Sequence, residues 1–214
     1  MNLKDTFRYL GYGSSQADEQ TLKLAEECWE ELERTAVKRS CFREYPLSFP
    51  EDGRMDLGCF QVASRALFKN LEHCRAVVLF AATLGTGPDI LIRKYSRLQM
   101  SRAVVMQAAA AAMLEDYCDR INEEIRENYE KQGYYLRPRF SPGYGDFPLD
   151  CQPALLAGLD AGKRIGITLT DSLLMAPSKS VTAVMGVASV RSDCIIEGCE
   201  SCGRADCRYR RDRV

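Results

Sequence analysis

The chain has 214 residues, 46% of them apolar, enough for one domain of ordinary size or one domain with a small appendage. Its formal net charge of −1 gives no global pull towards nucleic acid or an anionic membrane. No run approaches the roughly 18 apolar residues that span a bilayer, and the opening "MNLKDTFRYLGYG" lacks a secretory apolar core, so the expected location is the cytoplasm.

The first long segment, "SSQADEQTLKLAEECWEELERTAVKR", predicts a helix. Ser15 and Asp18 resemble a capping box with an acid in place of the usual glutamate. Leu22, Ala25, Trp29, Leu32 and Ala36 fall on one stripe at helical spacing, so Trp29 is expected in the core rather than at a ligand. "MDLGCFQVASRALFKNLEHC" reads as mixed turn and helix, with the single histidine, His73, at a helix end or on the surface. One histidine excludes any centre built from several imidazoles. "RAVVLFAAT", residues 75 to 83, is a short valine-rich apolar run and predicts a buried strand. The "LGTGPD" that follows matches neither G-x-G-x-x-G nor a P-loop and reads as a tight strand-to-helix turn.

"SRLQMSRAVVMQAAAAAMLEDYCDRINEEIRENYEKQ" is the longest helical stretch. Ala103, Gln107, Ala110, Leu114, Tyr117, Ile121 and Ile125 are expected to face inward, and the alanine run 108 to 112 allows another element to approach closely. Glu115 flanks that stripe beside Ala111 and Cys118, where a carboxylate reaches either solvent or a pocket. "DCQPALLAGLDAGKRIG" predicts a short helix, with Asp150 as N-cap and Gly162 as its C-terminal glycine. "GITLTDSLLMAPSKSVTAVMGVAS" predicts a strand and then a hairpin, with "PSKS" in the middle. Helices come first and strands cluster late, so the fold class is α+β, an antiparallel or mixed sheet with long helices packed on it.

Between the long helix and that short one lies "RPRFSPGYGDF", residues 137 to 147. Its bland reading is a stiff connector. Its sharper reading is a loop that grips a ligand. A guanidinium is a planar fork that matches a carboxylate. Pro142 fixes the chain, Gly143 lets the backbone approach a ligand, and Tyr144 offers an aromatic face. Together they suit a small zwitterion carrying a flat ring.

These residues resemble the reactivation domain of cobalamin-dependent methionine synthase, which binds S-adenosylmethionine through an R-x-x-x-G-Y loop. Arg139, Gly143 and Tyr144 occupy those positions, with Ser141 and Pro142 between them. "MLEDYCDRINEEIRE" is similar to the helix preceding that loop, and Glu115 falls where the family places a ligand-site glutamate. Gly166, Leu169, Thr170, Ser172, Met175 and Pro177 follow the family's G-x-x-L-T-x-S-x-x-M-x-P segment. The chain has no evident counterpart of the family's N-terminal aspartate contact, nor of its tyrosine after the last strands, and it lacks the D-x-H-x-x-G cobalamin motif.

The resemblance implies a free-standing reactivation protein over residues 1–192. S-adenosylmethionine would be held by Arg139, Ser141, Gly143, Tyr144 and Glu115, and cobalamin presented by a partner, a corrinoid-carrying methyltransferase. An electron-donor protein is a further implied partner. The task is placement of a methyl group over cobalt, so no catalytic acid, base or nucleophile is expected from this chain.

Composition changes sharply at about residue 193. Six of the ten cysteines are scattered (Cys28, Cys41, Cys59, Cys74, Cys118, Cys151) and read as small buried hydrophobes. The other four, Cys194, Cys199, Cys202 and Cys207, have the spacing C-x4-C-x2-C-x4-C and suit zinc or an iron–sulfur centre. Arg204, Arg208, Arg210, Arg211 and Arg213 make the 193–214 tail basic, either a solvated terminus or a handle for an acidic partner. An alternative function therefore stands beside the first: a metal-stabilised binding or regulatory protein that contacts nucleic acid or protein through this tail.

Overall fold

The computed structural model describes residues 1–12, 17–51 and 53–190. Its centre is a four-stranded antiparallel sheet in the order β1-β4-β8-β5, formed by β1 (Arg39–Pro46), β4 (Cys74–Thr83), β5 (Tyr135–Leu136) and β8 (Ser180–Ala188). Two short ribbons accompany it: β2 (Met55–Asp56) with β3 (Gln61–Val62), and β6 (Thr168–Leu169) with β7 (Met175–Ala176).

The apolar run 75 to 83 becomes β4, paired with β1 on one side and β8 on the other. Side chains alternate across a strand, and here both faces are buried. Ala76, Val78, Phe80 and Ala82 point into one core; Val77, Leu79 and Ala81 point into another. That explains a continuous apolar run rather than an alternating one.

The first core lies under α1 (Leu3–Leu10), α2 (Glu19–Thr35), α4 (Gly87–Leu98) and the 31-residue α5 (Met100–Glu130). Trp29 is part of it, and so are Ala109, Ala110 and Ala112 of the alanine run. The second core lies under α3 (Arg65–Leu71), α6 (Gln152–Leu159) and α7 (Ala161–Ile165). The architecture is α+β, with helices on both faces of the sheet.

Several local expectations are corrected. Asp18 caps α2 itself, its carboxylate accepting from the Thr21 amide at 2.8 Å, while Ser15 lies outside the described residues. Leu22 and Gln107 are exposed, because each sits at the rim of its stripe rather than at its centre. The long helical stretch is divided at Gln99, whose extended backbone (φ −158°, ψ 92°) ends α4 and lets α4 and α5 pack on each other. Asp150 lies in a single 3-10 turn (Leu149–Cys151), and α6 starts after Cys151. Asp160 in the left-handed conformation separates α6 from α7; Gly162 is inside α7, and Gly166 (φ 77°) is the glycine that ends it.

The late hairpin is also displaced. Its turn is residues 170–174, closed by the Thr170 amide donating to the Leu174 carbonyl at 2.9 Å and the Leu174 amide donating to the Thr170 hydroxyl at 3.1 Å. "PSKS" instead links β7 to β8, with Ser178 donating its amide to Asp89 of α4 at 2.8 Å. His73 stands exposed just after α3. Among the scattered cysteines Cys28, Cys41, Cys74 and Cys118 are buried, and Cys59 and Cys151 partly so.

Candidate functional site

The loop 137–147 leaves β5 along the edge of β8. The Arg137 amide donates to the Gly186 carbonyl at 2.8 Å, and Phe140 and Val184 exchange amide–carbonyl bonds at 2.9 and 2.8 Å. This extended path sets the faces. Phe140 packs against the second core and stacks with Phe147 at 6.2 Å between ring centroids. Arg139, its neighbour in an extended chain, turns to the opposite side and meets α5.

There its Nη2 donates to Glu115 Oε2 at 3.1 Å and to Asp119 Oδ1 at 2.6 Å. Glu115 and Asp119 are four residues apart on one helix, hence on one face. The Arg139 side chain is only 16% exposed, and its Nη1 is buried with no hydrogen-bond partner among the described residues. Beside it, Cys118 is fully buried. Burial pushes its thiol up to about 12, with the charge of Arg139 pulling the other way, so at neutral pH it is a protonated packing residue and no nucleophile.

Beyond Phe140 the chain turns tightly. The Tyr144 amide donates to the Ser141 carbonyl at 3.1 Å, Phe147 to Tyr144 at 3.0 Å, and Gly143 to Phe147 at 2.8 Å. Gly143 has φ 91°, a conformation that favours glycine, and a Cβ there would meet only Leu149 Cδ1 at 3.7 Å. The backbone is therefore open to a ligand at that point. Tyr144 is 70% exposed, its ring not committed to a core.

The acid of the loop has a different task. Asp146 accepts from the Ser64 hydroxyl at 2.6 Å and from the Arg65 and Ala66 amides at 2.7 and 3.0 Å, tying the loop to the start of α3. Those three donors, the hydroxyl first, hold its carboxyl down to about 2. A concavity of about 400 Å³ lies on that flank, lined by Gly53, Met55, Ala63, Ser64, Arg65, Phe68 and Asp146. Arg139 and Glu115 are not part of it, and its one loop carboxylate is already bonded to α3.

The structure thus brings Arg139 and Glu115 into contact and places Ser141, Gly143 and Tyr144 on the turn that follows. Sequence reasoning missed Asp119, although its spacing from Glu115 on a predicted helix was the available signal. Gly166, Leu169, Thr170, Ser172 and Met175 have architectural places: Gly166 ends α7, Leu169 pairs with Met175 across the ribbon, and the Thr170 and Ser172 hydroxyls bond at 3.0 Å. Cys194, Cys199, Cys202 and Cys207 lie outside the described residues. Among the described residues no three His, Cys, Asp or Glu side chains are grouped to hold a metal ion, and no helix is long and apolar enough to cross a membrane.

Comparison with known proteins gives a consistent picture. A search of curated proteins finds no match. Among solved structures, the crystal structure of the MetH reactivation domain bound to AdoHcy superposes with a TM-score of 0.61 at 17% sequence identity. The match covers 89% of this chain and 77% of that one, and it shows a shared fold. The family model described as "Vitamin B12 dependent methionine synthase, activation domain" matches residues 68–193, which contain β4, α5, the Arg139 loop and β8. That span is more than half of the sequence, and the chain belongs to the activation-domain family of vitamin B12 dependent methionine synthase.

Proposed function

We propose that this protein binds S-adenosylmethionine between α5 and the loop 137–147, and that it supports reductive methylation of inactive cob(II)alamin on a partner methyltransferase. The observation that carries this reading is Arg139: a mostly buried guanidinium, set on α5 by two carboxylates that share one of its terminal nitrogens, the other being buried without a hydrogen-bond partner among the described residues. A guanidinium fork of this kind suits the carboxylate of an amino acid. Glu115 adds a negative group for the cationic part of the ligand, the open backbone at Gly143 lets a nucleoside approach, and the exposed Tyr144 ring offers it a face. The residues present therefore fit the ligand.

S-adenosylmethionine would supply a sulfonium methyl group, and a reduced corrinoid presented by the partner would accept it. The contribution of this chain is to hold the donor in place, a proximity effect that needs no proton transfer from the protein. Reduction of the corrinoid requires an electron from a further partner. The cysteine set Cys194, Cys199, Cys202 and Cys207 would hold zinc or an iron–sulfur cluster, the latter able to take part in that electron path. The alternative of a regulatory protein acting through its tail leaves residues 68–193 without a role.

Calorimetric titration with S-adenosylmethionine tests the reading. Saturable binding that 5′-methylthioadenosine, lacking the amino-acid moiety, matches only weakly is the expected result. Absence of saturable binding would reject the reading. Metal analysis and a visible spectrum after anaerobic purification test the tail: four freely titrating thiols with neither iron nor zinc would remove its metal centre.

A further inference from the structure

We propose that Asp119 receives the α-ammonium group of the ligand's amino-acid moiety, giving up its bond to Arg139 as the ligand carboxylate takes that place. The inference rests on the S-adenosylmethionine reading of the site and adds a binding residue to it.

The geometry supplies three reasons. First, Glu115 and Asp119 both use Nη2 of Arg139, at 3.1 and 2.6 Å, so two carboxylates share one cation and one of them is in excess. An amino-acid zwitterion resolves that excess: its carboxylate pairs with the guanidinium, and its ammonium pairs with the displaced acid. Second, the two groups of the zwitterion sit on the same carbon. The acceptor of the ammonium must therefore stand next to the guanidinium, and Asp119 does. Third, Asp119 is the acid free to exchange. Its side chain is 57% exposed, against 28% for Glu115.

The neighbouring charges do not compete for the role. Asp116 accepts from the Asn2 side-chain amide at 2.6 Å, and Arg120 lies over the Tyr117 ring at 5.4 Å. In this structure Asp119 thus stands where the ligand carboxylate would be. In the complex it becomes a partner of the ligand itself.

These two states give the test its sign. If Asp119 only covers Arg139, its removal frees the guanidinium and tightens binding. If it receives the ammonium, removal weakens binding, and only for ligands that carry that group. Asp119→Asn and the parent are titrated with S-adenosylmethionine and with a deamino analogue that keeps the carboxylate, sulfonium and nucleoside. The expected result is a loss of about tenfold or more for S-adenosylmethionine, the scale of one charge-assisted hydrogen bond, with the analogue bound at least as tightly by the variant as by the parent. Unchanged or tighter binding of S-adenosylmethionine would overturn the inference alone. So would an equal loss for both ligands, which would make Asp119 a residue that only positions Arg139. If the parent protein binds neither ligand, the reading of the site falls first and the inference falls with it. Thermal melts establish that Asp119→Asn is folded, as its exposure leads one to expect.

Discussion

Two arginines in this protein are each held by a pair of carboxylates four residues apart on one helix. Arg102 of α5 binds Glu27 and Glu31 of α2; Arg139 binds Glu115 and Asp119 of α5. Their side chains are almost equally covered, 17% and 16% exposed. The difference is in how the fork is used. Arg102 gives Nη1 to Glu27 at 2.9 Å and Nη2 to Glu31 at 3.2 Å, and its guanidinium lies 4.9 Å over the Tyr95 ring. The Tyr95 hydroxyl in turn donates to Glu31 at 2.9 Å. Both terminal nitrogens are engaged, and every member is on a helix. Arg139 places both acids on Nη2, leaves Nη1 without a partner among the described residues, and rides on a loop.

The first arrangement is a staple between helices. The second is asymmetric: both acids crowd onto Nη2, the position at which a ligand carboxylate is proposed to replace Asp119. The comparison teaches that an arginine with two acids is not by itself a site. What sets Arg139 apart is that both acids share one of its terminal nitrogens and that one of them, Asp119, is exposed.

The largest effect expected from this contrast is in ligand binding. Arg139→Ala should weaken S-adenosylmethionine by about 1.5–3 kcal/mol, roughly ten- to more than a hundredfold. Equal affinity in calorimetry would place the site elsewhere. Arg102→Ala should act on stability alone: stability to urea falls by about 1–2 kcal/mol because Glu27 loses its cation and Glu31 keeps only Lys94, while affinity stays within about twofold of the parent. A large loss of affinity there would erase the distinction between the two clamps.

Gly143→Ala sharpens it further. The position has φ 91° but open space, so the strain of about 1 kcal/mol is confined to the turn. Affinity should fall several-fold by calorimetry, with global stability lower by about 1 kcal/mol.

The smallest effect separates the architectural end of the loop from its binding end. The Asp146 carboxyl is held below its ordinary value, to about 2. Its contribution to stability is therefore whole above the unfolded carboxylate pKa of about 3.9 and is lost as pH falls through about 2. In Asp146→Asn that acid dependence should flatten. The Arg65 and Ala66 amide resonances, which report the cap, should no longer titrate near that lower value. Persistence of the titration in the variant would assign it to another group.

The sequence by itself determined the large elements. A short valine-rich apolar run bounded by charge and glycine read as the buried strand that became β4, and helical periodicity carried α2 and most of α5, with Trp29 in the core. Arg139, Gly143 and Tyr144 were legible as a group because a guanidinium, a glycine and an aromatic at short spacing have a shared chemical use. Tertiary structure decided the rest. The break at Gln99, the exposure of Gln107 and the shift of the late hairpin to residues 170–174 each depend on what packs nearby. Asp119 and Asp146 gained their partners only when the loop was laid between α5 and α3. Periodicity reports which face of an element is apolar. It does not report the partner to which a polar side chain on the other face will be brought, because that partner is set by how elements distant in sequence dock.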